Sequence, residues 1–166
     1  MEPLSLPASR ECRKCGANNE LEFKFCGNCG AEVGAAPSHR LYDAGSIFTA
    51  AFFGGPLAGS IAMSWNYSRL GKNRPAVASV LLGIASTVVL VAIGIKLASS
   101  MSYVVGISAV FVTVAVARAL QGEALAQHAR DGGLPVSRWS AAGMGLGVAA
   151  FLSVFIYIAI VVAASR

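Results

Sequence analysis

Acidic residues are scarce in this chain, which carries 8 Asp and Glu against 13 Lys and Arg in 166 residues. After Asp43 only Glu123 and Asp131 remain, so the net charge of +5 belongs to the C-terminal three quarters. Between Ala44 and Trp65, and along the later apolar runs, there is no Asp, Glu or His, and Lys96 lies near enough to an end to snorkel. Proton relays and ion-coupled carriers place such groups inside the bilayer, so this absence counts against them. No inverted repeat supports a carrier either. Histidine occurs only as His39 and His128, both in linkers outside the apolar runs. No Gly-x-Ser-x-Gly, His-Glu-x-x-His or phosphate-binding glycine loop is present, and no catalytic constellation is expected. Cysteine is absent beyond Cys29, which excludes a chain-wide disulfide scaffold. Met1 to Arg10 lacks the apolar core of a cleavable signal, so the N-terminal module is expected to be retained.

Apolar residues make up 55% of the chain and charged ones 13%, against roughly 25% charged in soluble domains. Four apolar stretches, near residues 44–65, 76–97, 102–119 and 139–164, approach the ~20 residues needed to cross ~30 Å of hydrocarbon. The third is short before Arg118, but 118–131 reads as the same helix continuing into the interface, stopped by Gly132, Gly133 and Pro135. The expected fold is an all-α membrane domain over 44–166, with a linker at 34–43 and a small separate module at 1–33.

The first stretch holds Gly54-Gly55-Pro56 at its centre. Proline removes a backbone hydrogen bond, a loss tolerated in lipid only where neighbouring helices shield the break. The segment is either a kinked span or a re-entrant hairpin. With the N-terminal module in the cytoplasm, a hairpin puts Arg69, Lys72, Arg74, Arg118, Arg130 and Arg138 inside, as the positive-inside tendency asks. Tyr42 at one end, and Trp65 with Tyr67 at the other, instead bracket the segment as interfacial anchors bracket a span. Gly55-x-x-x-Gly59 and Gly143-x-x-x-Gly147 each place two small residues on one helix face and predict close helix packing there.

The N-terminal module reads Cys12-x-x-Cys15-Gly16, then Cys26-x-x-Cys29-Gly30. Two residues between cysteines let a tight turn aim both sulfurs at one point, and the following glycine accepts a positive φ. Two such knuckles supply four thiolates, a closed tetrahedral site for one structural Zn2+ per chain. The alternation in Leu21-Glu-Phe23-Lys-Phe25 predicts a strand entering the second knuckle, with Leu21, Phe23 and Phe25 covering the site. Two disulfides and a redox Cys-x-x-Cys are the competing readings. From Arg10 to Glu32 four basic residues face four acidic ones, and a tetrathiolate zinc adds negative charge, so the module lacks the surplus cation that phosphate contacts need. Nucleic acid is therefore not its expected partner.

Cys12, Cys15, Gly16, Phe25, Cys26, Cys29 and Gly30 resemble the zinc ribbons at the N-termini of many bacterial membrane proteins. Phe53 to Gly59, Asn66-Tyr67, Leu70-Gly71, Gln121-Gly122, His128 and Gly132-Gly133 are similar to recurring features of bacterial multi-pass membrane proteins, a likeness that carries no activity with it. The expected location is a bacterial inner membrane with the ribbon on the cytoplasmic side. A non-enzymatic scaffold or adaptor is expected, its ribbon contacting a cytoplasmic protein and its helices the bilayer. A small channel or transporter subunit is the alternative, and a lipid-acting enzyme has least support. A homo-oligomer is compatible with either.

Overall fold

The computed structural model describes residues 9–12, 14–20, 22–33, 37–97 and 99–165. Its elements are β1 (Ser9–Glu11), β2 (Asn18–Glu20), α1 (Ala44–Arg69), α2 (Asn73–Lys96), α3 (Ser99–Arg130) and α4 (Arg138–Ala164). All four helices are long and apolar enough to cross a membrane when counted along the chain. Two compact units result, one of residues 1–41 with 123–135 and the other of residues 42–122 with 136–166. The last turns of α3 cluster with the N-terminal module in the first unit.

In the first unit β1 pairs antiparallel with β2, Arg10 opposite Asn19. The rings of His39 and His128 lie 5.1 Å apart, centroid to centroid, and the amide of Leu41 donates to the Leu134 carbonyl at 3.3 Å. Gly132, at φ +80°, ends α3: its amide donates to Ala129, and that of Gly133 to His128. These are the paired bonds of a left-handed glycine cap. Arg10 is buried, and its Nη2 donates to the Phe23 carbonyl at 3.4 Å.

The second unit is built around α1. Asp43 caps its start, its carboxylate accepting from the Ser46 amide at 2.7 Å. Gly71 at φ +71° closes its end in the same glycine cap as α3, with Lys72 N–H donating to the Tyr67 carbonyl. Between them Gly55 leaves the helix at φ +70°, ψ −170°, a region essentially confined to glycine. Pro56 then begins the next helical run, where its missing N–H costs nothing and its fixed φ suits the first turn.

The chain reverses at this break. Tyr42 N–H donates to Asn66 Oδ1 at 2.7 Å, and Asn66 Nδ2 donates back to the Tyr42 carbonyl at 2.8 Å. Residues 24 positions apart would be some 36 Å apart along a straight helix. The rings of Tyr42 and Trp65 likewise stand 5.8 Å apart, and a methyl group on Gly59 would lie 3.1 Å from Ala51 Cβ. So α1 is a helical hairpin with arms 44–54 and 56–69, roughly 16 and 21 Å long, and neither arm alone reaches across ~30 Å of hydrocarbon. Of the two readings of this segment, the geometry is that of the hairpin. Tyr42 and Trp65 are neighbours at one end of it, which is why they looked like anchors at two ends of a span.

Small residues let the arms close. Ile47, Ala50, Ala51, Ala58 and Ala62 are fully buried between and behind them. Against α4 the contact is glycine on glycine: a Cβ on Gly54 would meet the Gly145 carbonyl at 2.5 Å, and one on Gly145 would meet the Ala50 carbonyl at 2.7 Å. Gly59 packs against Thr113 of α3, and Gly83 of α2 against Ser60. Gly143 and Gly147 face open space, so the expected packing face on α4 is displaced to Gly145. Gly55 also meets nothing, since its role is conformational.

Candidate metal centre

Each knuckle is a turn closed by glycine. Gly16 N–H donates to the Cys12 carbonyl at 2.8 Å and Gly30 N–H to that of Cys26 at 2.9 Å, with φ of +71° and +67° at the two glycines. The turns point four sulfurs at one centre. Cys12 and Cys29 Sγ are 3.6 Å apart, Cys15 and Cys26 Sγ also 3.6 Å, and all four lie within 4.8 Å of one another. Four Zn–S bonds of about 2.3 Å at tetrahedral angles put sulfurs about 3.8 Å apart, so the residues fit such an ion. A disulfide needs about 2.05 Å, and all four cysteines are free. The expected ligands Cys12, Cys15, Cys26 and Cys29 are thus brought together.

The surroundings favour thiolates. At Cys26 the backbone amides of Cys29 and Asn28, with the Asn19 side chain, lower the thiol to about 6 against desolvation. Asn19 Nδ2 reaches that sulfur at 3.4 Å, and its Oδ1 accepts from the Gly27 amide at 2.9 Å, tying β2 to the second knuckle. At Cys12 the amides of Lys14 and Cys15 lower the thiol. At Cys29 the Ala31 amide acts in the same direction, but the other three thiols and desolvation outweigh it and push the group up to about 12. Four thiols this close cannot all ionise without a cation among them, and a divalent metal supplies that charge.

The cover of the site differs from expectation. The strand between the two knuckles is Asn18–Glu20, upstream of the expected alternation, and Leu21 lies outside the described residues. Phe23 and Phe25 are 55% and 60% exposed, and Val33, Ala17 and Ala31 pack on the cysteines instead. With only 22 residues in the metal-bearing stretch, the turns leave no second layer in which a phenyl ring could be enclosed. Asn19, which binds both the sulfur and the knuckle backbone, carried no signal in the sequence beyond its position midway between the cysteine pairs.

Residues 12–33 match the family model of a zinc-ribbon domain. No curated protein and no solved structure matches the chain. The N-terminal module is a zinc ribbon with four cysteines positioned to bind a metal, on a chain whose helices are those of a membrane protein.

Proposed function

We propose that this protein is a non-enzymatic membrane scaffold whose ribbon, closed around one structural Zn2+, contacts a cytoplasmic protein. The observation that carries the reading is the pair Phe23 and Phe25, exposed beside a metal site whose four ligands leave no position for water or substrate. Exposed aromatics on a small rigid module suit a protein contact, where such rings dominate binding energy. The ribbon's balanced charge supports the same choice over nucleic acid.

The ribbon, the loop at 69–74 and the loop at 131–137 share one face of the membrane in this reading. The hairpin in α1 supports the first pairing, and the clustering of residues 123–135 with the ribbon supports the second. The basic residues at these loops argue that the face is cytoplasmic, in a bacterial inner membrane. Reduced thiols there suit a zinc–thiolate site.

A channel subunit is the second reading. A cavity of about 280 Å³ lies beside Pro56, lined also by Ser60, Ser79 and Thr113. The hydroxyls of Ser79 and Thr113 are spent on carbonyls of their own helices, which leaves little to replace an ion's hydration. Isolation in mild detergent of the wild type, of a form lacking residues 1–36 and of Phe23→Ser/Phe25→Ser separates the two readings. The scaffold reading expects a stoichiometric partner with the wild type alone. A flux in liposomes that survives the deletion, with no partner lost from either variant, would contradict it.

A further inference from the structure

The second unit holds an open cleft of about 600 Å³ whose lining combines Gly45 and Phe48 of α1, Phe111 and Val114 of α3, and two arginines, Arg118 of α3 and Arg138 of α4. Its floor is apolar and its cations are gathered at named points. A methyl group on Gly45 would lie 3.5 Å from Arg138 Nη2 and 3.6 Å from its Nε, so this guanidinium sits over the first turn of α1. Asp43 Oδ1 is 3.7 Å from the same point, but that oxygen already accepts from the Ser46 amide. Among the described residues neither Arg118 nor Arg138 has a hydrogen-bond or ion-pair partner, and one carboxylate against two guanidinium groups leaves a positive charge.

The position of the cleft along the helices identifies its occupant. Arg118 ends the apolar part of α3, Arg138 begins α4, and Gly45 lies in the first turn of α1, so three apolar boundaries meet there. In a bilayer such a meeting marks the level of the phosphate groups, with apolar walls continuing toward the acyl chains. A basic pocket between transmembrane helices is suited to an anionic head group. Guanidinium is suited to phosphate oxygens because its planar fork donates two parallel hydrogen bonds.

We propose that this cleft binds the phosphate of an anionic phospholipid, held by Arg118 and Arg138, with an acyl chain lying against Phe48 and Phe111. The site is independent of what the ribbon binds. Free phosphate offers the same head chemistry without a chain, and the apolar lining is what selects the lipid.

The purified protein in detergent, delipidated and then titrated with phosphatidylglycerol or phosphatidylcholine, would be read by native mass spectrometry. Tight retention of about one phosphatidylglycerol is expected, weakened about 30-fold in Arg118→Gln/Arg138→Gln, and kept when Lys72 and Arg74 are changed instead. Phe111→Trp, which fills the cleft and leaves the charges in place, is expected to weaken binding as well and serves if the arginine variant does not fold. Equal retention of the two lipids, unchanged binding in both cleft variants, or displacement of the lipid by millimolar inorganic phosphate would overturn the proposal.

Discussion

Asn66 fastens the membrane unit at a point the sequence does not advertise. It is fully buried, exchanges two hydrogen bonds with the Tyr42 backbone, and donates to Gln121 Oε1 at 2.9 Å, while Gln121 Nε2 donates to the Met63 carbonyl at 2.9 Å. The side-chain amides of Asn66 and Gln121 are both partnered, so removing one orphans the groups it binds. Asn66→Leu, similar in size, strips partners from both Tyr42 backbone groups and from Gln121, and at ~1–3 kcal/mol per orphaned buried group it should destabilise the protein by about 3 kcal/mol or more. Thermal unfolding in detergent would register this as a large drop in midpoint. The four cysteines were legible in the sequence because a metal constrains spacing locally. Asn66 was visible only as part of a recurring dipeptide, because its partner 24 residues earlier is adjacent only after the hairpin forms. Metal analysis belongs at this scale too: about one zinc per wild-type chain is expected, and little in Cys26→Ser, since three thiolates leave the tetrahedron open.

At the scale of the element, the glycines of α1 and α4 serve two different ends. Gly55 has free space but a backbone conformation closed to other residues, so Gly55→Ala should cost about 1–3 kcal/mol through strain alone. Gly145 has an ordinary conformation and no space, so Gly145→Ala should force α4 away from the hairpin and lower the unfolding midpoint in detergent. Gly143→Ala and Gly147→Ala meet nothing within the chain and should leave that midpoint nearly unchanged. A thermal-stability comparison of these four variants checks both assignments. The end of α3 read well from the sequence, because Gly132 sits where a left-handed cap requires glycine; the cap at Gly71, beyond an apolar stretch read as ending near residue 65, did not. The break at Gly54-Gly55-Pro56 was equally plain. Which glycines on α4 pack was not, because Gly143, Gly145 and Gly147 are equivalent in composition and only the hairpin's position on α4 selects among them.

At the scale of the whole molecule, the proposed topology rests on the hairpin. If α1 crossed the bilayer, the ribbon and the loop at 69–74 would lie on opposite sides, and the arginines at 118, 130 and 138 would face away from the ribbon. In the topology proposed above, a folded-back α1 leaves α2, α3 and α4 as three crossings, with the basic loops on the ribbon's side. Two opposed sequence signals, the basic loops and the aromatic brackets, left the course of α1 open, and the contact of Tyr42 with Asn66 is that of a hairpin.

The most direct test places single cysteines at Ser38 and at Lys72, immediately before and after α1, in protein whose four ribbon cysteines are changed to serine. The membrane unit that holds both ends of α1 makes its own contacts, so this background retains the feature under test. Intact cells are treated with a membrane-impermeant maleimide, with lysed cells as the control for reactivity. The hairpin predicts the same result at both positions, protection in intact cells and labelling after lysis. Labelling of one position with protection of the other would mean that α1 crosses the membrane and would contradict the account.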